Sequence, residues 1–401
     1  MRAPRHAALV AGLVLCVEAL GPALVATAAV ESAGRWPLHE GPLDFAIYFH
    51  SATALASGRS PLTPGAFDPP TFSLLLAPLV PLGLPAAYAI FTLVSLGIAV
   101  SGLWLCAGRA RLHPTPLLVA AGIVWYPVVQ GLVLGKSVPL VLGLLLIVLF
   151  LLSRDRLAGA GLLSGLLWMK PDMTVPILLA VSLGITVWLP SPRRFLLPFA
   201  AASAAFFAVE ATSFVPWIHA VLAAAQTVVS QPYQVSLTAA LQLVQAGVPL
   251  AHLRWVLMTL KVLVAACAAA ALAASFRRLP PRRPGWASLA GWERLWWTAG
   301  IVATTWMIVA PYTQLYDEAL VLPVILAAAR HGIGRGRGRT EATFLLLLAV
   351  PLLTAVTPAA RYLLPVANMA LLAWAWQQLT PRGTVRAEIP GIRGTAGSLT
   401  S

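Results

Sequence analysis

Residues 85–107 read PAAYAIFTLVSLGIAVSGLWLCA, a run of 23 residues without a charged side chain. As an α-helix this run is about 34 Å long, enough to cross the roughly 30 Å of hydrocarbon in a bilayer. Similar apolar runs recur along the chain, in which 59% of the residues are hydrophobic and only 10% are charged. Backbone polar groups in lipid must be satisfied within their own segment. The sequence therefore predicts an all-α, polytopic membrane protein.

Hydropathy predicts a bundle of about ten to twelve transmembrane helices. The apolar stretches that define them are Ala7–Ala29, Pro85–Ala107, Pro116–Leu134, Val138–Leu152, Leu157–Trp168, Met173–Leu189, Phe195–Phe214, Trp255–Phe276, Leu295–Pro311, Ala319–Ala329, Ala342–Val356 and Tyr362–Leu379. The Pro-rich stretch Thr71–Pro85 is expected to be an interfacial or re-entrant piece. Residues 1–380 then form one transmembrane domain with an outer loop at about 30–70, and residues 381–401 form a disordered polar tail in the cytoplasm.

When successive predicted spans are assigned alternating directions across the membrane, the loop arginines collect on one side. This bias, seen at Arg2, Arg5, Arg193, Arg194 and the loop Arg277–Arg294, identifies the cytoplasmic side and places the N-terminus there. High Ala, Gly, Pro and Arg usage indicates a bacterium of high GC content, so the expected location of this multi-span protein is the bacterial inner membrane. The net charge of +14 does not indicate nucleic-acid binding, because the arginines occupy short loops rather than a soluble basic face. All three lysines and most carboxylates fall towards the outer side, so the chemistry is expected to face outward.

The first candidate catalytic residue is Asp44 in the outer loop. It is close in sequence to Phe45 and Tyr48 and precedes the Pro69-Pro70 turn. A carboxylate just outside the membrane, partly buried by aromatic neighbours, suits a general base. The alternative is an ordinary solvated loop acid, which is the commoner case.

Two lysines are candidates to bind a phosphate. Lys136 lies between two predicted spans, and Lys170 precedes Pro171, which ends a helix and exposes backbone carbonyls. A lysine at the edge of a bundle neutralises a phosphate as a point charge. The alternative is a pair of anchors whose side chains extend to the membrane surface.

A third polar stretch runs from Tyr312 through Gln314 and Tyr316 to Asp317 and Glu318. Its hydroxyl, amide and carboxylate groups are of the kind that bind sugars. Two acids at the start of a helix are equally well explained by the helix dipole.

Other reaction classes lack their motifs. The sequence contains no G-x-x-x-x-G-K-[ST], no G-x-G-x-x-G that opens a helix after a strand, no H-E-x-x-H and no Asp-x-Asp pair. Chemistry driven by ATP, use of nucleotide sugars and zinc-dependent hydrolysis therefore lose support.

The order of the outer-face motifs resembles glycosyltransferase family 87, whose members belong to the GT-C superfamily of membrane glycosyltransferases. The resemblance covers most of the chain and rests on Asp44-Phe45 with Tyr48 and Ala54, Pro69-Pro70, Gly135 between spans, Lys170-Pro171, Pro311-Tyr312, Tyr316-Asp317 and Leu322-Pro323. Two departures stand out. This chain has Gly135-Lys136-Ser137-Val138 where members typically read Gly-Gln-x-Asn, and Asp68-Pro69-Pro70 where they read Tyr-Pro-Pro.

The resemblance implies an inverting transfer of a hexose, mannose being the first expectation, from a polyprenyl-phosphate sugar to a lipid or glycan acceptor on the non-cytoplasmic face. Asp44 would be the catalytic residue. Membrane lipids would surround the protein, and no metal, cofactor or nucleic acid would take part. The residues expected to bind substrate are Arg59, Lys136, Lys170, Asp172, Tyr316 and Asp317.

Two other functions stay open at this stage. Glu18, Glu210 and Lys261 fall inside predicted spans, where ionisable groups are costly and mark candidate functional sites, so a transporter or lipid flippase is one alternative. No inverted repeat supports it. A catalytically inert relative that binds lipid-linked sugar is the other, and Lys136 in place of glutamine is its main support.

Overall fold

The computed structural model describes residues 43–62, 68–109, 115–189, 191–208, 215–219, 236, 250–277, 289–310, 313–325, 350–351 and 362–379. Within these residues the regular elements are helical, and no β-strand occurs. The prediction of an all-α helical bundle is therefore confirmed for this part of the chain. The predicted first span, Ala7–Ala29, and the tail after residue 380 lie outside the described residues.

The described residues form a succession of helices. The α-helices are α1 (Leu43–Ala56), α2 (Pro70–Leu76), α3 (Gly83–Arg109), α4 (Thr115–Val124), α5 (Tyr126–Val133), α6 (Val138–Ser153), α7 (Leu157–Ser164), α8 (Pro171–Trp188), α9 (Arg193–Ala208), α10 (Leu250–Arg277), α11 (Leu289–Val309) and α12 (Leu364–Leu379). Segments of 3₁₀-helix lie at Ala77–Leu82, Gly165–Met169 and Leu315–Val321.

Helix α6 lies at the centre of the bundle. Nearly all of its side chains are buried, and it packs mainly against α3 and α7. Helix α11 packs against α8 and α12, and the 3₁₀ segment Leu315–Val321 packs against α5 and α11. Helix α6 also contacts α11 and the segment Leu315–Val321, so elements distant in the sequence meet around it.

Two helical runs among the described residues are long and apolar enough to cross a membrane: Pro70–Arg109 and Pro171–Trp188. They contain two of the predicted spans. The predicted span Pro116–Leu134 is instead divided into α4 and α5. The division falls at Trp125, which has an extended backbone, because Pro127 favours the first turn of a new helix.

The predicted outer loop contains a helix. Helix α1 forms there because Phe45, Tyr48 and Ala52 recur at helical spacing and are all buried. The stretch Thr71–Pro85 is also helical, running from α2 through a 3₁₀ turn into α3. Asp44 therefore stands in the first turn of a packed helix rather than on a free loop.

Aromatic contacts attach α1 to the bundle. The ring of Phe45 lies 5.3 Å from that of Phe91 and 5.5 Å from that of Tyr88, measured between centroids. The ring of Tyr48 meets Phe72 edge-on at 5.1 Å. Such pairs are favoured beyond the area they bury. They hold the helix that carries Asp44 against α2 and α3.

Helices α3 and α6 cross at two glycines. A Cβ atom added at Gly102 would lie 2.7 Å from the carbonyl oxygen of Gly143, and one added at Gly143 would lie 2.6 Å from the backbone of Ile98. No side chain fits between the two backbones. Small residues at a crossing of this kind allow close helix packing in membranes.

We expect Gly102→Ala to destabilise the protein while Gly97→Ala, on the same helix, does not. A Cβ at Gly97 meets nothing within 4 Å. Alanine there gains up to about 1 kcal/mol of helix propensity. At Gly102 the same gain is offset by overpacking, which costs about 1–3 kcal/mol. Thermal unfolding of the two variants in detergent tests this, and equal midpoints would show that the crossing is not tight.

Candidate functional site

Most of the aspartate and lysine side chains in the chain gather in one place. Four of the five aspartates and two of the three lysines in the chain belong to this polar cluster. Its members come from distant parts of the sequence and are Asp44, Asp68, Lys136, Lys170, Asp172 and Asp317. In a chain with so few charged residues, this grouping marks the candidate functional site.

Lys136 and Asp44 form the first ion pair of the cluster. The Lys136 Nζ atom lies 2.9 Å from Asp44 Oδ1, and the two side chains are 13% and 26% exposed. The same ammonium lies 4.9 Å from the ring centroid of Tyr316 and 6.0 Å from that of Tyr48. Both aromatic rings attract a cation at these distances.

The turn before α6 sets the position of Lys136. Gly135 has a φ of +67°, a conformation that suits glycine, and a Cβ added to it would lie 2.6 Å from the Cβ of Phe45. The Lys136 amide donates to the carbonyl of Gly131 at 2.8 Å. The turn thus packs directly on the residue next to Asp44, which fixes the backbones of the two charged residues relative to each other.

Lys170 forms the second charged group. Its Nζ atom lies 3.0 Å from Asp172 Oδ2 and 3.8 Å from Asp317 Oδ1. Pro171 begins α8 directly after it, and Trp306 donates from its indole nitrogen to the Asp172 carbonyl at 2.6 Å. Burial alone would lower the Lys170 pKa, but the surrounding carboxylates outweigh burial and raise it above its usual value. Lys170 therefore stays charged.

Asp317 is the most deeply buried acid of the cluster, with no exposed surface. Its Oδ2 atom accepts a hydrogen bond from the Gln314 amide at 2.8 Å, whereas Oδ1 has no hydrogen-bond donor among the described residues. Burial raises the pKa of Asp317 to about 6, against the opposing effect of Lys170. That oxygen lies 3.8 Å from the Lys170 ammonium, an ion pair longer than a hydrogen bond.

Asp68 and Tyr48 complete the cluster, although neither was among the predicted substrate-binding residues. Ser137 Oγ lies 3.5 Å from Asp68 Oδ1, and Tyr48 hydrogen-bonds to the same carboxyl group. Burial, followed by the negative charge of Asp68, raises the pKa of Tyr48. Burial also raises the pKa of Asp68, which Lys170 and Lys136 counteract. Tyr48 lies four residues after Asp44, a spacing that places both on one face of a helix.

The predicted site residues fall into two groups. Asp44, Lys136, Lys170, Asp172 and Asp317 come together, and the Tyr316 ring lies against Lys136. Arg59 does not join them. It is exposed in the turn after α1 and forms no ion pair with the described acids.

Residues proposed from other stretches fall outside this cluster. Lys261 donates to the carbonyl of Ala310, at the end of α11, at 3.2 Å. Glu318 accepts a hydrogen bond from Asn368 at 2.7 Å and so links α12 to the 3₁₀ segment. Glu18, Glu210 and Tyr312 lie outside the described residues.

We expect the protein to lose stability as the pH rises from about 4 to about 6, the interval between the unfolded and folded pKa values of Asp317, and Asp317→Asn to lose less. The raised pKa means that the folded state binds a proton at Asp317 more tightly than the unfolded chain. Stability from this group is therefore present at low pH and lost as the pH rises through about 6. Asp68 contributes in the same direction, so the variant retains a smaller slope. Thermal midpoints across this range test the effect, and identical slopes would contradict it.

In the polar cluster the Asp44 carboxylate pairs with the Lys136 ammonium, and the Lys170 ammonium pairs with Asp172 and Asp317. The buried Oδ1 atom of Asp317 has no hydrogen-bond donor among the described residues. This set can accept a proton and neutralise an anion within one site. Among the described residues, no group of three or more His, Cys, Asp or Glu side chains is placed to hold a metal ion. Comparisons with protein-family models, with curated proteins and with solved structures find no match to this chain.

Proposed function

We propose that the protein is a membrane glycosyltransferase that moves a hexose, mannose in the first instance, from a polyprenyl-phosphate sugar to a hydroxyl of a lipid or glycan acceptor. The observation that carries this proposal is the contact of Asp44 with Lys136, 2.9 Å apart, beside the Lys170 group. It brings a candidate base and candidate phosphate ligands into one site. The motif order that resembles glycosyltransferase family 87 supports the same activity.

We place the protein in a bacterial inner membrane with several crossings, its N-terminus in the cytoplasm and the polar cluster towards the outer face. The arginine distribution supports this orientation. Large apolar side chains point outwards on helices beyond the two candidate spans: Trp255 of α10 is 76% exposed, compared with 66% for Leu93 of α3 and 67% for Leu179 of α8. Such surfaces suit lipid rather than water.

In the proposed reaction, Asp44 accepts the proton of the acceptor hydroxyl as its oxygen attacks the anomeric carbon. A new bond forms between that oxygen and the carbon, while the bond from the carbon to the phosphate oxygen breaks. The electron pair leaves with the polyprenyl phosphate, and the configuration of the sugar is inverted. Proton removal by a positioned carboxylate contributes about 10²–10⁴-fold to such rates.

The remaining residues of the cluster have supporting roles in this scheme. Lys136 stabilises the negative charge on the leaving phosphate, as cations do in other phosphate-binding sites, and Lys170 adds positive charge nearby without leaving Asp172 and Asp317. Asp172 and Asp317 hold Lys170 in place. Tyr316 adds an aromatic face beside the Lys136 ammonium.

The polyprenyl chain of the donor would lie along the surface that begins at α2. Leu74, Leu75 and Leu82 are between 40% and 51% exposed there, whereas Thr71 and Phe72 of the same helix are buried against the bundle. This apolar strip runs from the end of the loop that carries Asp68. A lipid held on it presents its phosphate to the polar cluster.

The test is release of polyprenyl phosphate by the purified protein in lipid vesicles. Offered a panel of polyprenyl-phosphate sugars together with membrane-extract acceptors, the protein should release the lipid phosphate from one donor and make a glycosylated acceptor. Omitting the acceptor serves as the control. Failure to consume any donor, in a protein shown to be folded, would contradict the proposal.

We do not propose a transporter, because the described residue that suggested one is accounted for structurally. Lys261 donates to the Ala310 carbonyl just beyond α11, where a cation compensates the unpaired carbonyls of a helix end.

A further inference from the structure

We propose that Lys136 keeps Asp44 inactive until the phosphate of the donor draws the Lys136 ammonium away. Donor binding would thus release the catalytic base. This inference rests on the proposed function and adds a regulatory step to the same site. Lys136 stands at the position where members of glycosyltransferase family 87, which the sequence resembles, typically have glutamine.

The first support is the contact in the ligand-free state. A carboxylate oxygen in direct contact with an ammonium already has a hydrogen-bond donor, which an approaching hydroxyl has to displace. Lys136 Nζ lies at 2.9 Å from Asp44 Oδ1, a direct ion pair. An acceptor hydroxyl that reached Asp44 in this state would find its Oδ1 atom occupied by the Lys136 ammonium.

The second support is that Lys136, unlike Lys170, is able to exchange partners. Among the described residues Lys136 pairs with one carboxylate, and Lys170 with two. The backbone of the Lys136 turn is fixed by Gly135 packing on α1, so only the side chain has to move. The Tyr316 ring, 4.9 Å from the ammonium, remains available to the cation as it moves.

The third support is the charge of the cluster. Its four aspartates outnumber its two lysines, so a phosphate binds favourably only where a cation turns towards it. Lys170 is committed to Asp172 and Asp317. Lys136 is the cation that a phosphate can recruit, and recruiting it frees Asp44. The donor would therefore bind before the acceptor is activated.

Zero-length carbodiimide crosslinking tests this exchange in the wild-type protein. The reagent joins an ammonium and a carboxylate in contact as an amide, with loss of water. We expect a Lys136–Asp44 crosslink without ligand. Undecaprenyl phosphate at about ten times its Kd occupies about nine-tenths of the sites, so this crosslink should fall about tenfold. The Lys170–Asp172 crosslink, at 3.0 Å, is the internal control and should not change.

Three further arms make the result decisive. Undecaprenol, which lacks the phosphate, should leave the Lys136–Asp44 crosslink unchanged. Inorganic phosphate should also leave the yield of the Lys136–Asp44 crosslink unchanged. A lower yield with inorganic phosphate alone would support the exchange of partners but contradict a lipid-borne donor. Native mass spectrometry reports binding of undecaprenyl phosphate independently of the crosslink.

The outcomes separate this inference from the proposed function. If undecaprenyl phosphate binds but the Lys136–Asp44 crosslink does not change, then donor binding does not release Asp44, and the inference is overturned. The proposed transferase activity is not contradicted by that result. Absence of undecaprenyl phosphate binding to the folded protein would overturn both.

Discussion

Replacing the carboxylate by an amide in Asp44→Asn is expected to lower the turnover number for donor consumption by about 10³-fold. The amide cannot accept the proton of the acceptor hydroxyl. It has nearly the same shape, and its oxygen can still accept a hydrogen bond from Lys136, so the turn that carries Lys136 should stay in place. The amide holds Lys136 less strongly than the carboxylate does, so KM for the donor should fall or stay the same while kcat falls. Initial-rate kinetics over a range of donor concentrations measure both.

The matched control is Asp155→Asn, the same chemical change at the one aspartate outside the polar cluster. Asp155 is exposed in the turn between α6 and α7, with a φ of 58°. Asparagine tolerates this left-handed conformation, so the variant should fold and turn over donor like the wild type. Full turnover in Asp44→Asn would disprove its assignment as the base. An equal loss in both variants would point to a general effect on the protein.

The helical class and two long helices could be predicted from composition and hydropathy alone. Predicted spans at Pro85–Ala107 and Met173–Leu189 lie within α3 and α8, to within a few residues at each end. The break at Trp125 was not predicted, because hydropathy averages over a window and ignores the preference of Pro127 for a first turn. Helix α1 was missed for a related reason: its polar and charged residues lowered the hydropathy, although Phe45 and Tyr48 carry a helical repeat.

The residue types in the candidate site could be predicted, but their pairing could not. Sidedness of the spans was enough to place Asp44, Lys136, Lys170 and Asp317 towards one face. Which lysine meets which carboxylate depends on how α1 packs on the Gly135 turn, a contact between segments far apart in the chain. Arg59 was expected in the site by its position in the outer loop, yet the turn after α1 leaves it exposed.

Lys170→Met is expected to cause the largest loss of stability among the site variants. Methionine fills a similar volume but leaves Asp317 without the cation that offsets its burial, and Asp172 without its 3.0 Å partner. Breaking a buried ion pair by removing one partner typically costs about 3–5 kcal/mol. Chemical unfolding in detergent micelles measures the free-energy difference. Lys261→Met is the control for loss of a lysine side chain, because the ammonium of Lys261 donates a hydrogen bond to the neutral carbonyl of Ala310.

The double variant Lys170→Met/Asp317→Asn distinguishes an unpaired charge from lost packing. Asparagine is neutral, and its oxygen can still accept the hydrogen bond from the Gln314 amide. The free-energy cost of the unpaired buried charge in Lys170→Met should therefore largely disappear. The double variant should therefore be more stable than Lys170→Met alone, a coupling of about 1–3 kcal/mol in a double-mutant cycle. If the two single losses simply add, then Lys170 stabilises the protein through its packing, and the 3.8 Å contact with Asp317 contributes nothing measurable.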